Sequence, residues 1–96
     1  MRARTRAEFA GIENYASVLD DRRQWTCGKG VYARPVAEMA MSLLLGGLRG
    51  IGHYARQRSW SGAIGTNLHD ARVLILGGGG ITRELIPLLN AFGCQV

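Results

Sequence analysis

The chain has 96 residues, 47% hydrophobic and 20% charged, which suits one small globular domain and excludes wholesale disorder. Its net charge is +5 and its pI about 10.0, carried by twelve cations that are all arginine except Lys29. Beyond a cluster at Arg2, Arg4 and Arg6 they are scattered with little aromatic interleaving, so a basic solvated surface is expected rather than nucleic-acid binding. Residues 1–20 carry no strong periodic signal. Gly11 before Ile12, Glu13 and Asn14 suggests a turn, and residues 15–19 suit one helical turn. Residues 24–27 read as a short strand closed by Gly28 and Gly30.

The clearest helix is predicted over residues 35–57. Pro35 suits its first position, and Glu38 favours the positive N-terminal end. Val36, Ala37, Met39, Ala40, Met41, Leu43, Leu44, Leu45 and Leu48 fill nearly every face, the pattern of a buried helix. Gly46, Gly47, Gly50 and Gly52 each lower helix propensity by up to about 1 kcal/mol. A close helix–helix contact is therefore expected at those positions. Residues 58–70 are loop-like, with Trp60 expected to anchor the excursion.

The two cysteines, Cys27 and Cys94, are far apart and lack metal-ligand spacing. No apolar secretory core precedes them, so reduced thiols in a cytoplasmic protein are expected. The longest apolar stretch, residues 36–48, is interrupted by Glu38 and Ser42 and is shorter than the ~20 residues that span a bilayer. No membrane partner is expected.

The most informative segment comes last. Val73, Leu74, Ile75 and Leu76 form a short apolar run that predicts a strand over 72–77. Four glycines, Gly77, Gly78, Gly79 and Gly80, follow, then a helix over 80–92 with Gly93 at its C-cap and a second strand over 94–96. Strand, glycine turn and helix in that order resemble the phosphate-cradling start of a dinucleotide-binding βαβ unit. Gly77 would permit the tight turn, and Gly79 would let the backbone approach a pyrophosphate. The third glycine of the pattern is replaced by Thr82, a branched residue at a packing point, which can instead cap the helix or bond a phosphate. The N–H groups of Gly79, Gly80 and Ile81 would form the anion site. A P-loop is excluded, because no Gly-Lys-Ser/Thr follows the turn.

Three segments together resemble the D-isomer-specific 2-hydroxyacid dehydrogenases. The first is Ala10, Gly11, Ile12, Glu13 and Asn14. The second runs over residues 31–40 (VYARPVAEMA) into Leu43, Leu44, Leu45 and Arg49. The third comprises Trp60, Leu68 and residues 72–81. The resemblance covers residues 9–96. It implies an α/β fold: a partial Rossmann-type NAD-binding domain, the first βαβ half of a doubly wound parallel sheet, over 34–96. Residues 1–33 would be a remnant of the substrate domain. It also implies NAD or NADP bound through Gly77, Gly78, Gly79, Gly80, Ile81 and Thr82, and a substrate carboxylate facing the amides of Ala10 and Gly11. The helix 35–57 would help form a homodimer, or alternatively act as a non-catalytic interaction module. His53 and His69 do not match the family's catalytic histidine and are expected to be ordinary helix and loop residues. No catalytic residue can be assigned. The acidic residue that grips the ribose is expected about 20 residues after the first glycine, which is past Val96, so cofactor binding should be weak.

Overall fold

The structure is a computed structural model that describes residues 3–7 and 16–96. The chain divides into two units, residues 1–32 and residues 33–96. The first holds a parallel pair of strands, β1 (Ala3–Ala7) and β2 (Arg23–Cys27). Their register runs from Ala3 opposite Arg23 to Ala7 opposite Cys27. β2 matches the strand predicted at 24–27, whereas β1 was not anticipated. Its sequence ARTRA alternates with period two, but alanine supplies so little apolar contrast that the arginines dominate the reading. The chain approaches β2 through a turn in which the Arg22 N–H donates to the Asp20 carboxylate at 3.1 Å. The Trp25 indole N–H donates to the Asp20 carbonyl at 2.8 Å, and the Arg23 guanidinium lies 5.9 Å from the Trp25 ring centre.

The second unit is helical. α1 (Ala33–Leu48) packs against α3 (Gly80–Ala91), with the short α2 (Ile51–Arg56) between them in sequence. α1 begins two residues before Pro35. Pro35 still falls in the first turn, where its missing N–H has no intrahelical acceptor to lose. Ala33, Ala37 and Met41 are the buried residues of α1. The core gathers Met41, Leu68, Leu89 and Cys94, with Leu44, Leu45, Leu48, Val73, Ile75 and Leu85 packed around them. Leu89 is fully buried. An Arg34–Glu84 ion pair at 3.4 Å also joins α1 to α3, but both groups are solvated, so it contributes at most about 1 kcal/mol.

The predicted continuous helix 35–57 is interrupted at Gly50, whose φ of +66° is left-handed. The returning loop occupies the break. The Thr66 N–H donates to the Leu48 carbonyl at 2.9 Å, the Ile64 N–H to the Tyr54 hydroxyl at 2.6 Å, and Arg49 Nη1 to Asn67 Oδ1 at 2.6 Å. Gly65 (φ +93°) lies so close that a Cβ there would collide with the Leu48 carbonyl oxygen. The close approach expected at the helix glycines is thus one of loop to helix end. Gly46 and Gly47 face open space. Nor is α1 buried all round: Val36, Met39 and Leu43 are exposed, Leu43 by 69%. Trp60 is 99% exposed and anchors nothing, while Leu68 holds the loop to the core.

The expected Rossmann-type sheet is not there. The described residues contain no doubly wound parallel sheet, only the β1–β2 pair and one isolated parallel bridge, Arg72 with Gln95. That bridge rests on Val73 N–H to Gln95 O at 2.7 Å and Gln95 N–H to Ala71 O at 2.9 Å. The strand predicted at 72–77 and the one at 94–96 reduce to it. Burial does alternate along 72–76, but Val73 and Ile75 pack on the helical core rather than within a sheet. Leu74 and Leu76 point outward, 86% and 91% exposed. An apolar run therefore specifies where this segment packs on one side without assembling a ladder.

Candidate anion-binding site

The glycine turn leaves the bridged segment at Gly77, whose φ of +118° is a conformation only glycine adopts without strain. The Thr82 hydroxyl donates to the Gly77 carbonyl at 3.2 Å and ties the turn to the first turn of α3. Of the two roles open to Thr82, its proton therefore serves the turn itself. Gly79 is the N-cap of α3, in extended backbone and without a side-chain cap. Its carbonyl accepts the Arg83 N–H at 3.1 Å. The N–H groups of Gly80, Ile81 and Thr82 occupy the helical positions that have no intrahelical acceptor.

Three local features suit an anion. The helix N-terminus carries partial positive charge, and the first turn of α3 holds no acidic residue to oppose a ligand. A Cβ built at Gly77, Gly78 or Gly79 meets nothing within 4 Å. At Gly78 and Gly79, then, neither packing nor a left-handed backbone requires a bare backbone, and an approaching ligand would meet no side chain there. All of residues 77–81 are exposed. The C-terminal end of α3 is closed in a Schellman arrangement: Gly93 (φ +72°) donates to Asn90 O at 2.9 Å and Cys94 N–H to Leu89 O at 3.2 Å. α3 holds Pro87 in its interior, a residue that removes one ladder bond.

The six residues expected at the cofactor, Gly77 to Thr82 in sequence, are contiguous and stand together at this helix end. Ala10 and Gly11, expected at a substrate carboxylate, lie outside the described residues. His53 sits exposed on α2 with its Nε2 2.8 Å from Gln57 Nε2. His69 lies in the loop before the bridge, its Nδ1 3.1 Å from the Phe92 carbonyl oxygen and its Nε2 3.2 Å from Asp70 Oδ2. Neither belongs to the glycine turn.

Among the described residues no helix is long and apolar enough to cross a membrane. No family model matches the chain, and no solved structure matches it. Among curated proteins, it is similar to an uncharacterized protein in the proB 3′ region of Corynebacterium melassecola, 33% identical over 97 residues. The match takes in 93% of this chain and 32% of that protein, so the chain spans about a third of the length of the curated relative it matches.

Proposed function

We propose that this chain binds the pyrophosphate of a nicotinamide dinucleotide, NAD or NADP, at the glycine turn and the first turn of α3. In this reading it is the cofactor-contacting part of an oxidoreductase acting on the CH–OH group of a 2-hydroxy acid, and it is inactive alone. The observation that carries the reading is the open turn over residues 77–79 with the first helix N–H groups, which have no intrahelical acceptor, behind it. The three segments that resemble the D-2-hydroxyacid dehydrogenases supply the ligand class. Such a cofactor supplies the hydride acceptor when bound. The residues here do less: the amides of Gly80, Ile81 and Thr82 receive phosphate oxygens, and Thr82 keeps the turn in shape through Gly77. Among the described residues neither histidine belongs to the turn, so no proton acceptor for a substrate hydroxyl is assigned to this segment.

Binding should be weak, with a dissociation constant no better than about 1 mM, because among the described residues the carboxylate nearest the turn in sequence, Glu84, is paired with Arg34. Titrating NAD into isotope-labelled chain should move the amide signals of Gly79, Gly80, Ile81 and Thr82 before any others. Amides that stay fixed at saturating NAD would overturn the reading. A second reading, an interaction module built on residues 35–57, rests on the exposed Met39 and Leu43 of α1. It expects those same amides to stay still and the chain to sediment as a dimer.

A further inference from the structure

A second concavity lies away from the glycine turn, in the segment that follows α2. It is an open groove of about 580 Å³ whose lining includes Tyr54, Gln57, Arg58, Trp60, Ser61 and Ala63, none of them part of residues 77–82. That volume suits a small organic ligand, for which sites typically measure about 300–1,000 Å³. Its wall is braced: Ser61 Oγ donates to Gln57 Oε1 at 2.7 Å, Gln57 pairs with His53, and the Tyr54 hydroxyl accepts the Ile64 N–H. Two groups at its rim are left over. Among the described residues the Arg58 guanidinium has no carboxylate partner, and the Trp60 indole, 99% exposed, has no packing or hydrogen bond. Arg58 is the charged residue of this lining. Residues 39–69 contain Arg49, Arg56 and Arg58 and not one carboxylate.

We propose that this concavity binds a free nucleoside monophosphate, with the base against Trp60 and Tyr54 and the phosphate on Arg58. Each part answers an observation. An indole this exposed offers a flat apolar face that stacks on a planar ring, and such stacking is sequence-tolerant because every base has a π-face. An unpaired arginine presents the planar fork that receives phosphate oxygens in pairs. The one charged residue of the lining, Arg58, disfavours a cationic ligand and favours an anion. Gln57 and Ser61, already bonded to each other, fix the wall between the two ends rather than contributing charge. Along the sequence the arginines look scattered. Folding sets Arg58 and Trp60 beside Tyr54 through the turn that follows α2.

The test uses the two indole N–H signals of the full chain. Trp25, bonded to the Asp20 carbonyl, is the internal control. Adenosine monophosphate should shift the Trp60 signal saturably and leave Trp25 unmoved. Adenosine without phosphate and ribose 5-phosphate without base should each bind about tenfold more weakly, one arm losing the charge and the other the stack. Arg58→Gln, an exposed substitution, should weaken adenosine monophosphate to the level of adenosine. Gly79→Ala should leave the Trp60 response unchanged, which separates this site from the glycine turn. A Trp60 shift that never saturates, or one equal for adenosine and its monophosphate, would overturn the proposal. So would an oligonucleotide that binds where the monophosphate does not.

Discussion

Two glycine-rich junctions in the second unit look alike in sequence and are held in opposite ways. At the α1–α2 break, Gly50 and Gly65 are demanded by the protein itself. Both have positive φ, a Cβ on Gly50 would press on Ile64, and one on Gly65 would strike the Leu48 carbonyl. At the 77–80 turn only Gly77 has a positive φ, and no protein atom lies within 4 Å of a Cβ built at residues 77–79. The first junction is closed by the chain's own loop. The second is open, and its side-chain-free backbone faces solvent. Glycine thus has two distinct reasons to occur here, internal contact and external access, and substitution by alanine separates them.

The largest effect is expected at Gly65. Alanine there meets both an unfavourable backbone conformation and a rigid neighbouring carbonyl, so the loop must lift off α1 and give up the Thr66 to Leu48 bond. Gly65→Ala should destabilise the chain by roughly 3 kcal/mol or more. The urea midpoint measures it. An unchanged midpoint would mean that the loop does not lie on the helix end as described.

Gly46 should respond in the opposite direction. It sits inside α1 with nothing near its missing side chain, so Gly46→Ala removes only the propensity penalty. A gain of about 0.5–1 kcal/mol is expected. A loss would restore the helix–helix contact that the glycine pattern suggested.

How much of this was legible follows from what each residue must compete with. α3 was readable to within a residue or so because strong local signals agree. A glycine turn opens it, leucines recur along one face, and Gly93 closes it in a Schellman motif. The glycine turn itself was legible for the same reason. α1 was readable as a helix, but its end was not. Gly50 breaks it because the 58–67 loop folds back, a non-local contact that no helical period records. The strand at 72–77 failed for a related reason. Val73, Leu74, Ile75 and Leu76 fit a strand buried on both faces, yet pairing depends on neighbours, and among the described residues only Gln95 supplies a bridge. Trp60 was misplaced as an anchor because size suggests burial, whereas the smaller Leu68 reaches the core. β1 was missed because alanine gives alternation almost no hydrophobic contrast.

The smallest stability effect, and the one that bears most on function, is expected at Gly79. Its backbone is extended at φ −79°, which an alanine adopts, and the space where a methyl would stand is empty. Gly79→Ala should therefore lower stability by only about 0.5 kcal/mol, since alanine is a poorer N-cap than glycine but also restricts the unfolded chain. Its effect on a ligand should be far larger. A methyl at the N-cap stands between an incoming phosphate and the N–H groups of Gly80 and Ile81, which a pyrophosphate must approach closely. Lengthening those charge-assisted hydrogen bonds should remove most of the already weak NAD response in the amides of residues 79–82, while the urea midpoint falls only slightly. A variant that loses about 2 kcal/mol or more, beyond what an N-cap alanine costs, would show that Gly79 packs against the protein after all. One that keeps both stability and the NAD response would show that the turn is open to solvent but not to phosphate, and the chain's second unit would have to be understood through α1 instead.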